Sequence, residues 1–236
     1  MAKPLQMPDR PLPEADYRWT WEPAVGGADE PWFRIYHRAI HTPDGVTFRQ
    51  YGPLYRFDHH TPPFDDPQED PEGRSVLYVA PNLATSACEV FGETGVAALC
   101  SNRRVAQVRP TREIVTYDLA QPGSAMDIGA LPTLATGDLP RELTQAWAQA
   151  IYEDHPTSGK VEGIRYHTAY FGDISLVLWD CPDAVETLID SAGMLLDLPL
   201  SHPDVRLQLI KTLEPRGISV TSMSDADCPE CARSGL

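Results

Sequence analysis

The stretch VLYVAPNLATSACEVFGETG, residues 76–95, constrains the fold more than any other part of the chain. Residues 76–80 are a short apolar run rich in Val and Tyr, which suits a buried strand. Pro81 has no amide to continue a ladder, so the strand ends there, and Asn82 is placed to cap a helix with its side-chain oxygen. Beyond it Leu83, Ala87, Val90 and Phe91 recur at i, i+4, i+7 and i+8, one helical face, and Gly95 closes the segment. The local unit is a strand followed by a helix. Glu89 falls about 140° around that helix from the centre of the apolar stripe, at roughly 100° per residue. It sits among Ala84, Ser86, Ala87 and Cys88, so a helix this slim can lie against the floor of a cleft; the plainer reading is an exposed carboxylate.

The remaining elements follow the same logic. Residues 105–108 and 114–119 read as strands interrupted by Pro110, and residues 141–153 as a helix entered from Pro140 with Leu143, Trp147, Ala150 and Ile151 on one face. Residues 123–137 read as a small-residue loop. Residues 163–167 and 175–179 form a hairpin pattern around Gly172 and Asp173. A last helix over 204–213 stops near Pro215. This order lacks a regular strand–helix–strand repeat and implies an α+β fold with a mixed sheet in a single domain, residues 32–220. Prolines at 4, 8, 11, 13, 23 and 31 make residues 1–31 an extended arm, and residues 221–236 read as a flexible tail. Residues 59–73, with four prolines and five carboxylates, read as a long solvated loop that includes His59 and His60.

Charge and motifs exclude several functions. The chain has 236 residues with 19 Lys and Arg against 34 Asp and Glu, a net charge of −15 that repels polyanions, so nucleic acid is not an expected partner. No apolar run approaches the roughly 18 to 20 residues of a membrane helix, and the N-terminal segment lacks the basic-then-apolar order of an export signal. Phosphate-binding G-x-x-x-x-G-K-[ST] and G-x-G-x-x-G patterns, the G-x-S-x-G elbow and H-E-x-x-H are all missing. Five scattered cysteines do not make a secreted disulfide framework and fit a cytoplasmic setting. Cys228-Pro-Glu-Cys231 is half of a zinc site, with no further ligand in the tail itself; His37, His41, His59 or His60 could complete it in space, yet two unlinked thiols and no metal is the expectation.

One island of the chain is basic. Residues 33–58 hold Arg34, Arg38, Arg49 and Arg56 against Asp44 and Asp58, while residues 61–73 contribute only negative charge. Guanidinium groups offer a planar donor fork for phosphate or carboxylate, so this island can hold a small anionic ligand; alternatively it pairs with the acidic loop.

Taken together, Arg34, the run Tyr55-Arg56-Phe57-Asp58, Leu77-Tyr78-Val79-Ala80 followed by Ala84-Thr85-Ser86-Ala87-Cys88-Glu89-Val90, and Gly163-Ile164-Arg165-Tyr166-His167-Thr168 resemble the RES domain, named for an Arg, a Glu and a Ser. The resemblance runs over residues 32–179 and loosely into the last helix. Its most specific part is Tyr78 eleven residues before Glu89. The chain departs from the family pattern at Pro53-Leu54-Tyr55, where glycines commonly precede the second arginine, and at Thr168, which stands for the serine and keeps its hydroxyl.

The resemblance implies an ADP-ribosyltransferase-like α+β core with a cleft that binds NAD, and cleavage of the nicotinamide–ribose bond, by phosphorolysis or hydrolysis, in a toxin of a toxin–antitoxin pair. It implies NAD as substrate rather than cofactor, phosphate or water as the acceptor, and an antitoxin as protein partner; a homo-oligomer is a further option that the resemblance does not decide. By the same resemblance Glu89 stabilises the developing ribosyl cation, Arg34 and Arg56 hold phosphates, Tyr78 contacts the nicotinamide side, and Thr168 takes the serine's contact. Two alternatives stand beside this reading: a weak or catalytically silent binder of NAD or ADP-ribose, and a regulatory protein that acts through a partner.

Overall fold

A computed structural model describes residues 4–24, 30–137 and 139–233. Residues 1–3 and 25–29 of the expected arm and 234–236 of the expected tail lie outside them. The chain builds two compact units from alternating segments: unit 1 from Met1–Glu22, Phe48–Tyr78 and Arg112–Ala184, and unit 2 from Pro23–Thr47, Val79–Thr111 and Val185–Leu236. Elements are numbered in chain order across both.

Unit 1 contains β1 (Arg18–Trp21), β3 (Tyr51–Gly52), β4 (Gln68–Glu69), β5 (Val76–Val79, its last residue already in unit 2), β8 (Ile114–Asp118), β9 (Gly163–His167) and β10 (Ile174–Trp179). Its helices are α2 (Ser124–Asp127), α3 (Thr133–Thr136) and α4 (Arg141–Asp154). A five-stranded sheet runs β1-β8-β9-β10-β5, antiparallel at β1–β8 and β9–β10 and parallel at β8–β9. Such mixed pairing with irregularly interspersed helices is the α+β class expected from the order of elements. Trp147, Ala148, Ala150 and Ile151 of α4 join Tyr117, Ile164, Tyr166, Val177 and Trp179 of the sheet in one buried cluster. Full burial of each large apolar side chain there contributes about 1.5–3 kcal/mol. Gly163, at φ +153, opens β9 where a Cβ would run into the Val177 carbonyl, so only glycine fits.

Three expectations about unit 1 are corrected. The proline-rich arm is not without regular structure: β1 pairs residue for residue with β8, and Leu5, Leu12 and Ala15 are buried. Apolar residues between the prolines anchor it. The segment expected to be a loop at 123–137 holds two single-turn helices, α2 and α3. The loop at 59–73 is only partly solvated. Asp70 folds it inward, accepting from Thr61 N at 2.6 Å, Glu72 N at 2.8 Å and Arg74 N at 3.3 Å. His59 and His60, expected in solvent, have no exposed surface.

Unit 2 contains β2 (Trp32–His37), α1 (Leu83–Phe91), β6 (Val96–Leu99), β7 (Arg103–Pro110), β11 (Val185–Thr187), β12 (Asp197–Pro199), α5 (Pro203–Leu213), β13 (Ser219–Ser222) and α6 (Pro229–Arg233). β2, β11 and β12 each pair antiparallel with the long β7, and β13 pairs parallel with β6. Asn82 caps α1 as anticipated, accepting from Thr85 N at 2.8 Å. The buried face of α1 differs from the expected stripe: Thr85, Ser86, Ala87, Cys88 and Phe91 are buried, whereas Val90 is exposed. Polar Ser86 is drawn inside because its hydroxyl accepts from Ile35 N of β2 at 3.1 Å. The expected flexible tail, residues 221–236, carries the end of β13 and all of α6, with Cys228 buried.

Candidate functional site

Arg56, Tyr78 and Thr168 belong to unit 1, and its sheet brings them into one neighbourhood. Tyr78 lies on β5, next to β10 and then β9 in the sheet order; Thr168 directly follows β9. The Arg56 guanidinium donates to the His167 carbonyl at 3.4 Å and the Leu134 carbonyl at 3.2 Å, and stacks over Phe57 and Tyr166. Both hydrogen bonds are long, and Arg56 Nε is buried with no hydrogen-bond partner among the described residues. The Thr168 hydroxyl, buried, donates to the Asp173 carbonyl at 3.3 Å across the hairpin turn.

Beneath these residues lies a polar cluster whose centre is Asp58. Its Oδ2 accepts from Arg49 Nη2 at 2.6 Å, Leu54 N at 2.6 Å and Tyr55 N at 3.1 Å, while Oδ1 accepts from the Tyr78 hydroxyl at 2.9 Å. Burial pushes the Asp58 carboxyl up, but Arg49, His60 and the Leu54 amide outweigh it and hold it below the ordinary carboxylate value. Burial and the neighbouring Asp58 push the Tyr78 phenol well above its ordinary value, so it stays protonated and donates. His60 Nε2 lies 3.2 Å from the Arg49 carbonyl, an acceptor only, which puts the ring proton on Nε2. Gly52 is packed so closely that a Cβ would stand 2.6 Å from His60 Nδ1.

A second buried pair supports the same loop. His59 Nε2 lies 3.2 Å from Asp180 Oδ2, with the His59 ring between Tyr152 and Trp179. Burial lowers the titration of both His59 and His60. Asp180 is raised by burial and lowered more strongly by His59, Tyr152 and the Ser75 amide, settling at about 2.

In unit 2, Arg34 on β2 and Glu89 on α1 flank the Ile35–Ser86 contact that joins the two elements. Arg34 is buried; its Nη1 donates to the carbonyls of Gly45 at 3.1 Å and Thr47 at 2.8 Å, and its guanidinium lies 5.2 Å from the Tyr36 ring centre. Glu89 is half-buried, one helical turn beyond Ser86, with one carboxylate oxygen fully covered.

The alternative by which the basic island pairs with the acidic loop is not what Arg49 and Arg56 do. Arg49 pairs with Asp58 inside the island, and Arg56 reaches backbone carbonyls. Asp58 and Arg49, which the sequence offers only as members of the basic island, are central to the unit 1 neighbourhood. The available signal was the local balance of charge between residues 49 and 58. Elsewhere, Cys228 and Cys231 form no disulfide, in line with two unlinked thiols, and folding sets His37 and Cys100 beside them.

Comparison with known proteins places the sequence in a family. A model of the RES domain matches residues 31–201, a span that includes segments of both units and all five candidate residues. No curated protein matches the sequence significantly. A chain in the crystal structure of the M. tuberculosis MbcT–MbcA toxin–antitoxin complex is similar at 16% identity and a TM-score of 0.49, over 82% of this chain and 92% of that one.

Proposed function

Since this chain belongs to the RES domain family, we propose that it cleaves the nicotinamide–ribose bond of NAD as a toxin-type, NAD-depleting enzyme. The observation that carries the reading is the family match over residues 31–201, within which Arg34, Arg56, Tyr78, Glu89 and Thr168 all fall. The unit 1 geometry supports it, since Arg56 is held by two long contacts to carbonyls that an anionic group can replace.

In the reaction the C1′–N bond of the nicotinamide ribose breaks and its electron pair leaves with nicotinamide, neutralising the pyridinium nitrogen. The ribosyl carbon becomes oxocarbenium-like, and a carboxylate close to it stabilises the positive charge. The family resemblance assigns that role to Glu89. An oxygen of phosphate or water then bonds to C1′ and loses its proton, giving a phosphorylated or free ADP-ribose. Arg56 binds the pyrophosphate with its planar fork, and Tyr78, kept protonated over Asp58, orients the nicotinamide side. Thr168 supplies the hydroxyl contact of the family's serine. Arg34 fixes the 45–47 turn against β2, and its phosphate role rests on the family resemblance alone. A neutralising partner protein belongs to the toxin reading and follows from the family alone.

The reading is tested by incubating purified protein with NAD and following free nicotinamide, with and without phosphate. Nicotinamide release is expected, and formation of phosphorylated ADP-ribose only in phosphate buffer identifies phosphorolysis. NAD binding without nicotinamide release selects the silent-binder alternative; absence of both binding and release selects the partner-dependent one.

A further inference from the structure

We propose that His37, Cys100, Cys228 and Cys231 form a structural zinc site of the Cys3His type in unit 2. The four residues come from three separate places in the sequence. His37 ends β2, Cys100 follows β6, and Cys228 and Cys231 bracket the start of α6. Each offers one ligand atom, and all four atoms lie within 4.8 Å of one another. His37 Nε2 is 3.2 Å from Cys231 Sγ and 3.9 Å from Cys228 Sγ. A tetrahedral zinc with Zn–S of about 2.3 Å and Zn–N of about 2.0–2.1 Å sets donors about 3.5–3.8 Å apart, so these separations bracket what the ion requires.

Contacts around the site hold the four residues in place. Asp225 accepts from Ser101 N at 2.8 Å and from Ser101 Oγ at 2.5 Å, Met223 N donates to the Leu99 carbonyl at 3.0 Å, and Arg103 pairs with Glu230 between the two tail cysteines. With the parallel β13–β6 pairing, these contacts bring Cys228 and Cys231 to Cys100. The Asn102 amide donates to Cys231 Sγ at 3.5 Å, the kind of outer contact that orients a thiolate ligand. A redox C-x-x-C pair would need two sulfurs only; here a third sulfur, 1% exposed, and an imidazole converge on the same point. Three thiolates and one imidazole suit zinc, and closing the fourth position with protein leaves no open site for catalysis. Zinc therefore clamps the C-terminal segment onto the ends of β2 and β6, a role independent of the NAD reading.

The test uses full-length reduced protein made without a polyhistidine tag. Elemental analysis by plasma mass spectrometry should find about one zinc per chain, and chelation should lower Tm. Cobalt(II) added to metal-free protein should give the charge-transfer and d–d bands of tetrahedral thiolate coordination. Cys100→Ser and Cys231→Ser should each weaken zinc binding by at least about 100-fold, whereas His37→Cys should retain the metal and shift the cobalt bands toward those of four thiolates. Folded wild-type protein that takes up no zinc, or that holds Cys228 and Cys231 as a disulfide under reducing conditions, overturns the proposal, as do serine variants that bind zinc unchanged. Should those variants not fold, the wild-type metal content and cobalt spectrum decide the question alone.

Discussion

The Tyr78 hydroxyl donates to Asp58 Oδ1 at 2.9 Å and accepts from Phe57 N at 3.1 Å, so one phenol links β5 to the segment that carries Arg56. Asp58 in turn neutralises the buried Arg49 and gathers the Leu54 and Tyr55 amides. The position of Arg56 is thus set by a network that does not include its own side chain.

Removing the phenol oxygen should therefore loosen the Arg56 segment. Tyr78→Phe leaves the Phe57 amide and one lone-pair direction of Asp58 unsatisfied, and should lower stability by about 1–3 kcal/mol. Asp58→Ala leaves Arg49 buried and uncompensated, with an expected loss of about 3–5 kcal/mol. Urea unfolding of the two variants checks the order; a larger loss for Tyr78→Phe would contradict the central place given to Asp58.

Stability should fall with acid before the carboxylates titrate. His59 and His60 are both lowered from an ordinary value of 6.5 by burial. The unfolded chain therefore takes up protons first, and the stabilisation present above about 6.5 is lost progressively as pH falls toward the folded-state values. Asp58 and Asp180, also lowered, add a second loss below 3.8. Urea unfolding at pH 7.5 and 5.5 should show the first loss, and His59→Gln should show a smaller difference between the two pH values than the wild type. Equal differences would remove His59 from the account.

Arg56→Lys keeps the charge and loses the fork. Because a bidentate phosphate contact needs the planar guanidinium, NAD affinity should drop, by roughly 10- to 100-fold if one charge-assisted hydrogen bond of about 1.5–3 kcal/mol is largely lost. Titration calorimetry checks this. Equal affinity would leave Arg56 with its role of bridging His167 and Leu134 only.

At Thr168 the order of variants is the test. Thr168→Ser keeps the hydroxyl, removes a methyl and should retain or raise nicotinamide release, whereas Thr168→Ala should be worse by the roughly 1–3 kcal/mol of an unpaired ligand group. Release by the Ala variant equal to that of the wild type would show that the hydroxyl serves only the Asp173 carbonyl.

Much of this was legible in the sequence where periodicity and local chemistry agree. The strand over Val76–Val79, the Asn82 cap, the helix after Pro140 and the hairpin around Gly172 are each specified by residues close in the chain. What was not legible depends on distant partners. His59 looks like a loop residue until Asp180 and Trp179, about 120 positions later, cover it. Ser86 turns inward for an amide of β2, which no helical periodicity encodes. Cys228 and Cys231 look isolated because Cys100 and His37 precede them by more than 120 residues. Of the candidate residues, Tyr78 and Glu89 belong to one contiguous motif; the pairing of Asp58 with Arg49 is not legible because a short-range ion pair resembles ordinary loop charge.

The most direct test of the NAD reading is the rate of nicotinamide release by Glu89→Gln beside wild type at saturating NAD. The substitution is nearly isosteric and removes only the charge that favours the oxocarbenium-like transition state, so the fold should persist by circular dichroism while the rate falls about 100- to 1,000-fold. Wild-type turnover accompanied by unchanged turnover in a folded Gln variant would contradict the role assigned to Glu89, and with it the proposed mechanism.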